Sequence, residues 1–187
     1  MTEIIVSKSP PVATVTLNRP EDLNRLTPDA MALLGRIIDD IAADDSIHAV
    51  VVTGAGNDVF SAGLLNPDIR AAMTKDAVIA FVLAANRVFD ALAALPQISI
   101  AAINGSIVAG AVELALACDI RIAADDATLT MPEAKWGGFP GAGGPHRLGM
   151  VVGHARALEM ICTGREVSAR EMDRYGLVQA IHPRGAV

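Results

Sequence analysis

Four apolar residues recur at helical spacing in the first quarter of the chain: Met31, Leu34, Ile38 and Ile41. They predict a helix over Thr27–Ala43 with one apolar face. Thr27 is the predicted N-cap, and Pro28 takes the first helical position. A second long helix is predicted over Asp76–Leu95, because Pro96 follows it directly.

Short apolar runs bounded by turn residues predict strands. The runs are Ile4–Val6, Val12–Leu17, His48–Thr53, Ser99–Ile103, Asp119–Ala123, Thr128–Met131 and Leu177–Ile181. A turn at Ser9-Pro10-Pro11 joins the first two strands into a hairpin-like start. Since strands and helices alternate along the chain, we predict an α/β layered fold in a single domain.

Three further segments complete the predicted elements. Gly54–Gly63 is predicted to be a loop, and a dinucleotide fingerprint is rejected there because Val59 replaces its third glycine. His146–Cys162 is predicted to be helical. Ser168–Glu171 reads as a capping box that starts a short helix, which Gly176 ends.

The stretch Asn104–Asp119 contains a carboxylate in the middle of an apolar sequence, where a charged group is unfavourable. It passes from a strand-ending Asn-Gly through a small-residue turn into a helix in which Glu113 is the only ionisable side chain before Cys118. A helix that is apolar all round is buried, so an unpaired Glu113 should have a raised pKa. One interpretation is a general acid or base. The other is a core ion pair with Arg121 or Arg147.

Gly110 favours the chemical interpretation. It lies at the turn into the helix, where free backbone N–H groups and the positive end of the helix dipole point at whatever lies in front of them. Glycine lets a ligand oxygen approach this backbone closely. A donor at the helix tip and an acid one turn later suit a reaction that passes through an oxyanion.

Composition excludes several classes of function. The net charge of −6 and the 3% aromatic content argue against a nucleic-acid surface. The apolar runs are too short to span a membrane, and the N-terminus lacks a signal-peptide pattern, so we expect a cytoplasmic protein. Two cysteines and four scattered histidines offer neither a disulfide framework nor a metal site.

Several segments, taken in order, resemble the crotonase superfamily, the enoyl-CoA hydratase and isomerase family. They are VATVTLNRP at 12–20, LNRL at 23–26, VVVTGAGNDVFSAG at 50–63, AINGSIVAGAVELALACDIR at 102–121, PEAKWGGFPGAGGPHRL at 132–148, and 178–183. Essentially the whole chain is covered. The resemblance implies a crotonase-like spiral of ββα units, with stacked sheets and surrounding helices, over residues 1–187.

The resemblance also implies a site for an acyl-CoA thioester. The amides of Leu64 and Gly110 would polarise its carbonyl, with Ala62 also binding the substrate, and Glu113 and Glu133 would be the catalytic acids. For Glu133 alone, a first helical turn or a solvated loop position after proline is the alternative. The implied activity is that of an enoyl-CoA hydratase of fatty acid metabolism, which needs no metal or redox cofactor and forms a homotrimer or hexamer.

In the implied reaction, a water held between the two glutamates attacks the β-carbon of the enoyl group. We assign Glu113 as the base toward that water and Glu133 as the acid toward the α-carbon. Other superfamily reactions, such as those of isomerases and dehalogenases, keep the oxyanion hole but move the acids. A catalytically weak acyl-CoA-binding protein is a further alternative.

The sequence departs from the family pattern at several positions. Leu65 stands where an acidic residue is frequent, and Pro67-Asp68 stands where a lysine often faces the CoA phosphates. Arg25 is a candidate replacement for that lysine, with a solvated arginine as the alternative. Trp136 replaces an aliphatic residue and is expected to narrow the acyl pocket. The chain also stops before the C-terminal helices that usually cover the site, so we expect an exposed apolar surface.

Overall fold

The computed structural model describes residues 2–187 and consists of two β-sheets with helices around them. The larger sheet has the order β1-β2-β3-β5-β7-β10. Its strands are β1 (Ile4–Ser9), β2 (Val12–Leu17), β3 (Ala49–Gly54), β5 (Ile98–Ile103), β7 (Ile120–Ala124) and β10 (Ala180–His182). β1 and β2 form the predicted antiparallel hairpin, with Ile4 opposite Leu17, and the other neighbours are parallel.

The smaller sheet has the order β4-β6-β8-β9 and consists of short strands. They are β4 (Val59–Ser61), β6 (Ser106–Val108), β8 (Thr128–Thr130) and β9 (Glu166–Ser168). β4, β6 and β8 are parallel, while β9 pairs with β8 in the antiparallel direction. Each of β3, β5 and β7 is thus followed by a short strand in the second sheet.

Seven α-helices of the described chain follow or flank these strand pairs. They are α1 (Pro28–Ala42), α2 (Pro67–Ala71), α3 (Lys75–Ala93), α4 (Gly110–Ala117), α5 (Gly144–Val152), α6 (His154–Thr163) and α7 (Ala169–Arg174). A helix follows β4, β6 and β8 in turn, which confirms the predicted spiral of ββα units with stacked sheets.

The ends of the helices follow the sequence closely. The Thr27 hydroxyl accepts from the Ala30 amide at 3.0 Å, which confirms the predicted cap of α1. Ser168 and Glu171 form the predicted capping box of α7. α4 is buried at every position, as its uniformly apolar sequence predicts.

Four predictions of local structure are wrong in detail. The segment 54–63 is not all loop, because β4 lies within it, and the small-residue turn before α4 contains β6. The helix predicted over His146–Cys162 is two helices, since Gly153 separates them with φ +83°. The last strand is Ala180–His182, shifted from the predicted Leu177–Ile181.

The loop after β3 is held by two buried amide side chains. Asn104 accepts from the Gly54 amide at 3.1 Å and donates to the carbonyls of Gly54 and Gly56 at 2.9 and 2.6 Å. Asn24 donates to the carbonyls of Ala55 and Val59 at 2.9 and 2.8 Å. These bonds satisfy backbone groups where the chain passes from one sheet to the other.

Across residues 2–187, none of the helices combines the length and the apolar character that crossing a bilayer requires.

Candidate active site

A small cavity of about 50 Å³, here called the inner cavity, lies in front of the N-terminus of α4. Its lining comes from five places: the segment after β4, α3, the start of α4, the turn after β8, and the glycine-rich loop before α5. Four of the five residues predicted for the site line it together: Leu64, Gly110, Glu113 and Glu133. Both predicted acids and both predicted amide donors therefore meet at one place.

The two segments that carry the predicted amide donors are in direct backbone contact. Gly63 has φ +79°, and a Cβ at this position would lie 2.5 Å from the Val108 carbonyl oxygen and 2.8 Å from the Gly110 nitrogen. Only glycine fits this close approach. Within residues 2–187, the amides of Leu64 and Gly110 donate no hydrogen bond to the protein.

Glu113 lies on the first turn of α4 and is only 2% exposed. Its Oε1 atom accepts from the amides of Ala142 and Gly144, both at 2.8 Å. The pKa of Glu113 is raised to about 7, chiefly by burial and also by the charge of Glu133, while the hydrogen bonds from the Gly144 and Ala142 amides oppose the shift. A carboxyl group that titrates near neutral pH can both accept and release a proton.

The glycine-rich loop needs its glycines to reach Glu113. A Cβ at Gly144 would lie 2.8 Å from Glu113 Oε1, and Gly143 has φ +95°. Two side chains hold the loop from outside: Asn86 of α3 donates to the Gly141 carbonyl, and Arg147 donates to the Ala142 carbonyl at 3.0 Å. The loop thus presents two amides to one carboxylate oxygen.

Asn86 was missed from the sequence. It belongs to α3, between Val82 and Phe89, and it donates both to Val82 of its own helix and to the loop. The available signal was a single amide side chain in the middle of a largely apolar helical stretch. Such a residue needs a partner when it is partly buried.

The structural alternative for Glu113, an ion pair with Arg121 or Arg147, is wrong. Arg121 donates to the carbonyls of Leu177, Ala115 and Cys118 at 2.8, 3.3 and 2.6 Å. Arg147 pairs with Asp90 on α3. Glu113 has no ion-pair partner between residues 2 and 187, so its burial is not explained by charge pairing.

Glu133 lies in a turn after β8 and lines the same cavity. It is partly buried, and its Oε2 atom is fully buried without a hydrogen-bond partner in the described chain. Burial raises the pKa of Glu133. The alternative of a solvated loop position is therefore wrong, since the side chain points inward.

Two other candidate residues lie apart from the inner cavity. Ala62 does not line it, and the Ala62 amide donates to the Leu23 carbonyl at 2.9 Å. Arg25 is not solvated: its Nε lies 3.4 Å from Asp22, and its Nη1 is buried with no partner among residues 2–187. Whether either residue contacts a substrate stays a prediction.

A second cavity of about 220 Å³, here called the side pocket, adjoins the inner cavity. Leu65, Val82, Glu133 and Phe139 line both spaces. The walls of the side pocket are largely apolar and include both Leu65 and Trp136, and the narrowing of an acyl pocket by Trp136 stays a prediction. A chain that enters from the inner cavity would pass Glu133 into this pocket.

Other parts of the surface lack this combination of groups. A larger depression of about 350 Å³ lies between β1 and α1, and its lining pairs Lys8 and Asp40 with apolar side chains. It has no buried acid, so we place the chemistry at the smaller cavity. Residues 2–187 contain no cluster of three or more His, Cys, Asp or Glu side chains suited to a metal.

Stacked sheets built from ββα units, with a cavity where their loops meet, define this chain as a crotonase-fold protein. The crystal structure of an enoyl-CoA hydratase from Bacillus anthracis matches it with a TM-score of 0.93 and 39% identity. That match covers 97% of this chain and 70% of the other.

The sequence comparisons agree with the structural one. A family model described as enoyl-CoA hydratase/isomerase matches residues 7–187. Over 181 residues, the chain is 37% identical to the short-chain-enoyl-CoA hydratase of Clostridium acetobutylicum, covering 97% of this chain and 69% of that protein. It is 33% identical to the crotonyl-CoA hydratase of Syntrophomonas wolfei, covering 95% and 68%. The chain belongs to the enoyl-CoA hydratase/isomerase family, and it spans about two thirds of the length of the curated relatives that it matches.

Proposed function

We propose that this protein is an enoyl-CoA hydratase that adds water across the 2,3 double bond of an enoyl-CoA thioester of fatty acid metabolism. The observation that carries the proposal is the meeting of Glu113 and Glu133 in one cavity with the amides of Leu64 and Gly110, which have no partner among residues 2–187. Relatives with the matching sequence are named as enoyl-CoA hydratases, including a short-chain and a crotonyl-CoA enzyme.

In this proposal, the Leu64 and Gly110 amides donate to the thioester oxygen. As negative charge develops on that oxygen, the hydrogen bonds strengthen, and the β-carbon of the conjugated system becomes electrophilic. The water lies between the two carboxyl groups and attacks the β-carbon. The proton that the water loses and the proton that the α-carbon gains both pass through these two groups.

The surroundings of the two acids support a division of roles. Glu113 accepts two backbone N–H bonds on Oε1, and these favour its ionised form, which can take the proton of the water. Glu133 has a buried Oε2 atom without a hydrogen-bond partner among residues 2–187, and burial raises its pKa, so it is assigned the proton that the α-carbon gains. Because the groups interact, their titrations are coupled.

The test is the loss of ultraviolet absorbance of the conjugated thioester when the protein is mixed with crotonyl-CoA. We expect turnover by the unchanged chain and its loss in both Glu113→Gln and Glu133→Gln. Hydration that survives both substitutions would rule out the mechanism. Saturable binding of crotonyl-CoA without turnover would instead favour an acyl-CoA-binding protein.

We further propose that the protein forms a homo-oligomer of three or six chains. Large apolar side chains are strongly exposed near the site and on α5 and α6: Phe139 at 71%, Met150 at 69% and Leu158 at 53%. Association would cover them. Light scattering during size-exclusion chromatography measures the mass directly, and a monomer at micromolar concentration would refute this proposal.

A cytoplasmic location is also part of the proposal. Cys118 and Cys162 are both free, one buried and the other exposed, which is compatible with a reducing compartment. Fractionation of cells that express the protein, followed by immunoblotting, tests this location. Recovery of the protein outside the cytoplasmic fraction would contradict it.

A further inference from the structure

The side pocket contains a cation that the hydration mechanism does not use. Arg70, on α2, lines this pocket but not the inner cavity. Its Nη2 atom donates to the Trp136 carbonyl at 3.1 Å, and a Cβ at Gly138 would lie 2.9 Å from its Nη1 atom. These contacts hold the guanidinium against the pocket wall, although the residue as a whole is exposed.

The charge of Arg70 is not balanced locally. Its guanidinium makes no ion pair with any carboxylate of residues 2–187, and its recorded hydrogen bond uses only one of its five N–H donors. Glu133 is the acidic residue in the lining of the side pocket. Arg70 and Glu133 make no ion pair within residues 2–187, and burial is the cause that raises the pKa of Glu133.

The polar groups of the two cavities are ordered along a path. Glu133 lines both spaces, apolar side chains such as Leu65 and Val82 continue the wall, and Arg70 contacts only the side pocket. At the ~30 Å³ that one water occupies in the liquid, the pocket has room for roughly seven groups of that size. A short acyl chain that extends past Glu133 into the side pocket would share that space with Arg70.

We propose that Arg70 binds a carboxylate at the far end of the acyl chain. The preferred substrates are then 2-enoyl-CoA thioesters of short dicarboxylic acids, with the free carboxylate on the guanidinium. A guanidinium presents paired N–H donors that match a carboxylate, whereas a methyl terminus gains nothing from them. The inference rests on the proposed function, because it assigns the reacting end of the chain to the inner cavity.

The test compares two probes that differ only at the chain end: trans-2-hexenoyl-CoA and the CoA monothioester of trans-2-hexenedioic acid. We expect the unchanged protein to prefer the diacid thioester in kcat/KM by about fivefold or more, as for a well-oriented ion pair near the surface. Arg70→Gln should abolish that preference, and Arg70→Glu should reverse it. Arg87→Gln is the matched control, since Arg87 is an exposed arginine on α3 outside the side pocket.

Each outcome decides the inference. An unchanged protein that shows no preference between the probes overturns the inference. An equal loss of kcat/KM for both probes in Arg70→Gln also overturns it, because Arg70 would then contact the CoA moiety or support the loop. If neither probe turns over, the proposed function fails. The inference is then decided by calorimetric binding of the saturated analogues, adipoyl-CoA against hexanoyl-CoA, where tighter binding of adipoyl-CoA that requires Arg70 supports it and equal binding refutes it.

Discussion

Glu113 and Arg121 are both buried, at 2% and 5% exposure, and they lie on either side of the turn that joins α4 to β7. Arg121 is surrounded by acceptors. Its guanidinium donates to four backbone carbonyls, those of Ala115, Cys118, Asp119 and Leu177. Glu113 is bound at Oε1 only, and its Oε2 atom accepts no hydrogen bond from residues 2–187.

The two environments imply two roles. A buried ion whose hydrogen-bonding groups are satisfied fixes the backbone around it, and Arg121 ties the end of α4 to the segment before β10. A buried carboxylate with one satisfied oxygen is less stable, yet it leaves the other oxygen for a substrate or water. Burial alone therefore does not identify a catalytic group. The number of side-chain atoms with a hydrogen-bond partner distinguishes Arg121, whose role is structural, from Glu113, whose role is chemical.

The largest expected effect is the loss of activity in Glu113→Gln. An amide keeps an oxygen for the Ala142 and Gly144 amides but cannot take a proton, so kcat for crotonyl-CoA should fall about a thousandfold. Stopped-flow or steady-state hydration measures it, with circular dichroism as the control for folding. A variant within tenfold of the unchanged protein would remove Glu113 from the chemistry.

Arg121→Met, unlike Glu113→Gln, should mainly reduce stability and leave the activity nearly unchanged. The methionine keeps part of the packing but leaves several buried carbonyls without donors, so the free energy of unfolding should fall by about 3–5 kcal/mol. Urea titration measures the loss, and kcat per folded molecule should stay within about twofold. A loss below about 1 kcal/mol would show that the carbonyls find other donors, and the comparison with Glu113 would then fail.

The sequence predicted the larger elements of this fold because their signals are local. The apolar period of α1, the Thr27 cap and the Ser168–Glu171 capping box each act within a few residues. Two short strands of the second sheet, β4 and β6, carry no such signal: they have three residues each and are defined by their pairing with neighbouring strands. The break at Gly153 was likewise hidden inside a continuous helical pattern.

The candidate site was predictable in part for the same reason. Glu113 and Gly110 were identified by their surroundings in the sequence, and the family resemblance supplied Glu133 and Leu64. The supports of the loop were not predictable, because Asn86 is 55 residues away from its partner Gly141. Arg147 was considered as a partner of Glu113 and instead pairs with Asp90, a choice that depends on how α5 packs near α3.

Glu113 should also reduce stability at neutral pH, in contrast to Arg121. Its pKa in the folded protein is about 7 against an ordinary value of 4.5, so the folded state holds the proton more strongly. The free energy of unfolding therefore falls as the pH rises from about 4.5 to about 7. Glu113→Gln removes this penalty and should stabilise the protein by up to about 3 kcal/mol at pH 8, with the gain shrinking toward pH 4.5.

Denaturant titrations of both proteins at several pH values measure this effect. Arg121→Met serves as the contrast. Because an arginine stays charged throughout that range, the decrease in the free energy of unfolding in this variant should not depend on pH. A Gln variant that is less stable than the unchanged protein at pH 8 would mean that the ionised carboxylate is well satisfied in the fold. Glu113 and Arg121 would then belong to the same class of buried charge.

The smallest expected effect concerns Arg147, whose charge lowers the pKa of Glu113 without pairing with it. Since Glu113 must be ionised to act as the base, kcat/KM should decline as the pH falls below about 7. Arg147→Met removes the positive charge that favours ionised Glu113. The acidic limb of the pH profile, which is the decline of kcat/KM below about pH 7, should therefore move to higher pH by less than about one unit.

Asp90→Asn separates the charge of Arg147 from its role in holding the loop. It keeps the guanidinium and removes the exposed carboxylate that partly neutralises it, so the limb should move slightly to lower pH. Shifts of opposite sign would show that Arg147 acts on Glu113 through space. If both variants instead lower kcat equally and leave the limb in place, Arg147 acts only by fixing the Ala142 carbonyl, and the pKa of Glu113 is set by burial and its two amide donors.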